Sequence, residues 1–136
     1  MLIEAVAPPG WRAVPDLNVK IDLADDDYWR PDICVLRPNE KGGLWHTFDQ
    51  FGLLVEIASP STTWLDDDEK LHVYARQGVP AYWRVQAAVG GDAPTVYAHL
   101  NPSGGAYRDV VTVGPGESAR VEVPFPVVIE AERLTP

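Results

Sequence analysis

The sequence predicts an α/β fold in which a mixed β-sheet carries one flanking helix and ends in antiparallel strands. The first indication is a central stretch, residues 53–85, that reads in order as strand, loop, helix, tight stop and strand. The second is the C-terminal third, where short apolar segments alternate with turns rich in Gly and Pro, a pattern typical of hairpins. The 136 residues are enough for one domain with a sizeable core.

The first strand of the central unit is predicted at residues 53–58, with the sequence LLVEIA. Because side chains alternate between the two faces of a strand, Glu56 shares its face with Leu54 and Ala58. Glu56 is the only polar residue in this strand. An ionised carboxylate is costly among apolar side chains unless it has a partner. Glu56 is therefore expected either in a structural ion pair with an arginine or in a functional site.

A helix is predicted to start near Leu65 and Asp66. Hydroxyl side chains within residues 59–63 can cap its first turn, and the acidic run at 66–69 suits a helix start, where the backbone dipole favours negative charge. The following residues have the 3/4 spacing of one buried helix face: Leu71, Tyr74 and Ala75. Gly78 and Pro80 then end the helix.

Further strands are predicted on both sides of this unit. Before it, residues 14–23 alternate loosely, residues 32–36 form a short apolar segment, and residues 37–52 are expected to form a long loop. After it, turns divide the chain into short apolar segments at 82–87, 95–100, 107–113, 119–123 and 127–129. Residues 1–6 read as the tail of a helix.

Composition limits the class of protein. No apolar run approaches the ~20 residues that a membrane span needs, and the single cysteine, Cys34, argues against a disulfide framework. We therefore expect a cytoplasmic protein with no membrane partner. The three histidines are too scattered for a zinc signature. The net charge of −9, from 11 basic and 20 acidic residues, lowers the expectation of tight non-specific binding to nucleic acid.

The most specific pattern lies between Glu56 and Trp83. VEIASPST is followed by D-x-x-x-K-x-x-x-Y-A-R-x-G-V-P-x-Y-W, which starts at Asp66, and Pro31-Asp32 opens an apolar strand upstream. This string resembles the Uma-two family of the PD-(D/E)XK restriction-endonuclease-like superfamily, over roughly residues 11–134. The resemblance implies a restriction-endonuclease-like mixed sheet and an endonuclease that hydrolyses nucleic acid with Mg²⁺ or Mn²⁺, and it favours DNA over RNA without deciding between them.

The resemblance also implies roles for individual residues. Asp32 and Glu56 match the acids that bind the metal, so they are expected on adjacent strands facing one cleft. The superfamily places a lysine two residues after the second acid, where this sequence has Ala58. Lys70, on the following helix, matches a variant position for that lysine and would assist the attacking water. Hard cations prefer carboxylate oxygens, and a lysine stabilises the charge that develops on a phosphate.

Each of these residues has a structural interpretation as well. A lone Asp32 is typical of a turn cap at the start of a strand, and Glu56 suits an ion pair with an arginine. Lys70 has the spacing to pair with Asp66 on the helix surface. The three residues together favour the metal site, whereas Tyr74 and Trp83 are interpreted as core.

The front of the chain departs from the family pattern. Members usually begin with a helix, a small sheet element with a further acid, and a long helix, and this chain is expected to start inside that long helix. Residues 1–136 are thus interpreted as a single domain that lacks the usual N-terminal portion, with no clear counterpart of the front acid at Glu4. An apolar strip left uncovered there predicts a homodimer. The competing hypotheses are a catalytically inactive binding or assembly module and, more weakly, a small-molecule-binding domain.

Overall fold

The computed structural model describes residues 7–21, 28–41, 43, 45–61 and 68–134, with the backbone alone at residue 68. In chain order the strands and the helix are β1 (Arg12–Pro15), β2 (Asn18–Lys20), β3 (Ile33–Leu36), β4 (Trp45–Thr47), β5 (Phe51–Ala58), α1 (Asp68–Arg76), β6 (Ala81–Gln86), β7 (Thr95–Ser103), β8 (Ala106–Val113), β9 (Ser118–Val121) and β10 (Val127–Glu130). Short 3₁₀ helices lie at Phe48–Gln50, Val89–Gly91 and Ala131–Leu134.

Six of these strands form one mixed sheet in the order β1-β3-β5-β6-β7-β8. The central pair, β5 and β6, is parallel, and α1 lies between them in the chain. The other pairs in the sheet are antiparallel. The predicted α/β class, with its mixed sheet, flanking helix and C-terminal antiparallel strands, is confirmed. A parallel pair needs a crossover, and the strand–helix–strand pattern of the sequence supplies one.

The sheet has a different cover on each face. On one side, the C-terminal segment with the antiparallel pair β9–β10 packs against alternate sheet residues such as Leu53, Val55 and Trp83. On the other side, α1 and the region of β2 pack against Leu54 and Tyr82. We call these the C-terminal side and the helix side. Since side chains alternate along β5, neighbouring residues of one strand belong to two separate cores.

Two predictions about the N-terminal half were wrong. Residues 14–23 do not form one strand, because Asp16 has a left-handed backbone conformation with φ 54° that separates β1 from β2. The predicted loop at 37–52 contains β4, which pairs in parallel with β2 in a separate two-stranded sheet, and the first two residues of β5. A three-residue strand is too short to give a detectable alternation.

Several predictions fall on residues outside the described part of the chain. These are the helix tail at 1–6 with Glu4 and the helix start near 65–66. Where the helix is described, from Asp68 onwards, it ends at Arg76 as the Gly78 stop predicts. No helix in the described ranges has the length and apolar character that crossing a bilayer requires.

Candidate functional site

Glu56 lies near the end of β5 on the helix side of the sheet. Leu54, two residues earlier, pairs with Cys34 on β3 and with Tyr82 on β6, and all three belong to the helix-side core. The alternation of β5 therefore places the Glu56 side chain in the same core, where the residue is only 6% exposed. A carboxylate at this depth requires polar partners.

Asp32 lies beside Glu56 at the start of the neighbouring strand. It directly precedes β3, whose first residue, Ile33, pairs with Val55. One carboxylate oxygen of Asp32, Oδ2, accepts a hydrogen bond of 2.6 Å from the backbone N–H of Ile57. This bond attaches the half-buried Asp32 to β5, one residue beyond Glu56. The two acids are close enough for the charge on Asp32 to raise the pKa of Glu56.

Two side chains from α1 reach the carboxylate of Glu56. The Lys70 ammonium lies 3.5 Å from Oε1, and the Tyr74 hydroxyl donates a hydrogen bond of 3.0 Å to the same oxygen. Residues four apart on a helix lie one above the other on one face, so both donors approach Glu56 from the same side. Asp66, the alternative partner predicted for Lys70, lies outside the described residues.

Burial dominates the electrostatics of this group. Burial raises the pKa of Glu56 from 4.5 to about 7, Lys70 lowers it, and the charge on Asp32 raises it. The pKa of Tyr74 is also raised, first by burial and then by the charge of Glu56, so its hydroxyl stays protonated and acts as a donor. Glu56 consequently holds its proton more tightly than an ordinary glutamate, and an added cation would favour its ionised form.

The donor set suits a hard divalent cation. Asp32 and Glu56 offer carboxylate oxygens, which Mg²⁺ and Mn²⁺ prefer to nitrogen or sulfur ligands. Within the described ranges there is no cluster of three or more His, Cys, Asp and Glu residues that could hold a metal. Mg²⁺ commonly takes one or two protein carboxylates and completes its shell with water and phosphate oxygens. The two acids therefore fit the cation that the sequence resemblance implies.

Residues 2–134 match the Uma2 family, whose description is "Putative restriction endonuclease". This chain belongs to the Uma2 family. Among curated proteins, none matches the sequence.

A solved structure supports the fold. The chain is similar to a protein from Anabaena variabilis ATCC 29413 that is described as a putative nuclease belonging to DUF820, with a TM-score of 0.63 and 20% sequence identity. The similarity covers 90% of this chain and 66% of the other, so the chain spans about two thirds of that protein's length. At this identity the comparison shows a shared fold.

Sequence reasoning named Asp32, Glu56 and Lys70, and the structure brings these three together around the end of β5. It missed the contribution of Tyr74, which was interpreted only as core. Tyr74 is indeed fully buried, but its hydroxyl bonds to Glu56. The available signal was its spacing: Tyr74 lies four residues after Lys70, so any acid within reach of one is close to the other.

Proposed function

We propose that this Uma2 protein is an endonuclease that hydrolyses phosphodiester bonds of nucleic acid, with DNA favoured over RNA as the substrate, and that it uses Mg²⁺ or Mn²⁺. The observation that carries the proposal is the meeting of Asp32, Glu56 and Lys70 at one end of the parallel β5–β6 pair. Membership of a family with the description "Putative restriction endonuclease" supports it. A buried acid next to a second acid and a lysine is a costly arrangement for stability alone.

The three residues share two chemical tasks in this proposal. Asp32 and Glu56 would hold the cation with one oxygen each, since another oxygen of each acid already accepts a hydrogen bond from the protein. When bound, the cation supplies a positive centre that polarises a phosphoryl oxygen and makes a neighbouring water more acidic. Lys70, whose side chain is 31% exposed, would orient the attacking water or stabilise negative charge on the phosphate.

The test is a cleavage and binding experiment on the purified chain. Plasmid DNA, single-stranded DNA and RNA are incubated with Mg²⁺, Mn²⁺ or a chelator, and metal binding is measured by calorimetry. Glu56→Gln is expected to abolish both cleavage and most of the metal affinity. Glu122→Gln makes the same chemical change at a side chain that is 65% exposed on the C-terminal segment, and it should behave as wild type. A wild-type protein that cuts equally well with chelator present would refute the metal-dependent reaction.

A catalytically inactive binding module is the second candidate. The net charge of −9 favours it, because a protein of this sign gains little from non-specific phosphate contacts. Metal binding that disappears in Glu56→Gln, without any cleavage by the wild type, would support this candidate. The expected homodimer stays a prediction, and a monomeric mass at high micromolar concentration would contradict it.

A further inference from the structure

Tyr74 combines a fully buried ring with a hydroxyl directed at the candidate site. The residue is 0% exposed, and its hydroxyl donates to Oε1 of Glu56 over 3.0 Å. A phenylalanine would fill the same space in the core without adding a polar atom that needs a partner. The packing of the helix side therefore explains the ring of Tyr74 but not its hydroxyl.

The ring of Tyr74 is held by other aromatic rings. The centroid of Tyr82 lies 4.9 Å away in an edge-on contact, that of Phe48 lies 5.5 Å away and that of Trp29 lies 6.1 Å away. These neighbours come from β6, from the 3₁₀ helix before β5 and from the segment that bridges to β2. With contacts from separate elements, the ring keeps one orientation, and its hydroxyl is fixed relative to β5.

The two carboxylate oxygens of Glu56 differ in their hydrogen bonds. Oε1 accepts hydrogen bonds from the Tyr74 hydroxyl and the Lys70 ammonium, whereas the described part of the chain contributes no hydrogen bond to Oε2. Asp32 shows the same division, since Oδ2 accepts the Ile57 N–H. A carboxylate restrained through one oxygen presents the other in a defined direction, as the outer partners of metal ligands do in general.

We propose that Tyr74 is a positioning residue for the metal site. Its hydroxyl restrains the Glu56 carboxylate so that the second oxygen of this group faces the cation held jointly with Asp32. This inference rests on the proposed function, because it requires that a cation binds there. It goes beyond that function because it states that the hydroxyl of a core tyrosine increases the affinity for the metal.

The test compares two tyrosines that each lose only a hydroxyl. Tyr107 also packs against the helix-side core, and its hydroxyl donates over 2.8 Å to the Val79 carbonyl instead of to an acid. Tyr74→Phe and Tyr107→Phe are therefore expected to lose similar amounts of stability. Calorimetry below both melting temperatures should show Mg²⁺ and Mn²⁺ affinity about 10-fold weaker in Tyr74→Phe and unchanged in Tyr107→Phe.

A second readout needs no metal. The hydrogen bond from Tyr74 lowers the pKa of Glu56, so the carboxyl carbon signal of Glu56 should titrate at higher pH in metal-free Tyr74→Phe than in wild type. Tyr107→Phe should leave the titration midpoint of Glu56 unchanged. If Tyr74 had a purely structural role, Tyr74→Phe would leave this midpoint unchanged as well. Equal metal affinity in Tyr74→Phe and wild type would overturn the inference while leaving the proposed function intact. A wild type that binds neither cation would overturn both.

Discussion

The two faces of the central sheet are formed by the same strands but differ in the kind of side chain that they bury. On the C-terminal side the described part of the chain contributes a large hydrophobic cluster, with Val55 and Trp83 among its buried members. On the helix side the same strands contribute Glu56 and Arg84, which are 6% and 7% exposed, and Glu56 pairs in register with Arg84. Adjacent residues of β5 thus differ completely in their surroundings. The hydrophobic cluster on one face stabilises the fold, and this allows the other face to bury charge at a cost.

The largest expected effect comes from damage to the apolar face. Trp83→Ala removes a large side chain that is 2% exposed, and it should lower the free energy of unfolding by about 3–5 kcal/mol because of lost burial and a remaining cavity. Urea unfolding gives this value. Below the transition, the metal affinity should equal that of wild type. A parallel loss of metal affinity would show that the two faces are not energetically separable.

The next effect is a pH dependence carried by the helix side. The folded-state pKa of Glu56 is raised to about 7 from 4.5, so the folded state binds more protons than the unfolded state between these values. The contribution of Glu56 to stability is therefore fully present below about pH 4.5 and is lost as the pH rises through about 7, with a size on the order of 3 kcal/mol.

Glu56→Gln isolates this contribution from other titrating groups. Urea unfolding at pH 5 and pH 8 should show that wild type loses more stability than the variant over this interval, whereas Glu122→Gln should follow wild type. Burial and the charge of Arg84 lower the pKa of His99 from 6.5 to about 4, so its contribution to stability rises with pH between these values, opposite in sign to that of Glu56. Wild type and variant share this contribution, and it cancels in the comparison. Identical pH profiles for wild type and Glu56→Gln would contradict the raised pKa.

The smallest effect on stability is expected at Lys70. Its side chain is partly exposed and lies 3.5 Å from Glu56, so Lys70→Ala should change the free energy of unfolding at neutral pH by less than about 1 kcal/mol. The same change should abolish cleavage, because the phosphate loses a fixed counter-charge. Lys41, which is exposed, supplies the control variant, Lys41→Ala. Cleavage by Lys70→Ala at the wild-type rate would end the assignment of Lys70.

The sequence by itself determined the central unit and singled out Glu56 as a buried acid. Alternation along residues 53–58, the helix stop at Gly78 and the Gly- and Pro-rich turns of the C-terminal third are local signals, and each one corresponds to an element of the structure. Glu56 was recognisable as a buried acid because the period of a strand fixes which neighbours share its face. Asp32 and Lys70 were named through the resemblance to the family, since neither stands out from its own neighbours.

Only the tertiary structure decided which groups meet. The parallel pairing of β2 with β4 and the bond between Asp32 and the Ile57 N–H join segments that are distant in sequence. The hydroxyl of Tyr74 likewise donates a hydrogen bond to Glu56, which lies 18 positions earlier in the chain. Periodicity tells which side of an element is buried, but the partner on that side depends on strand order and register. These are set by the packing of the whole domain, and therefore no local pattern contains them.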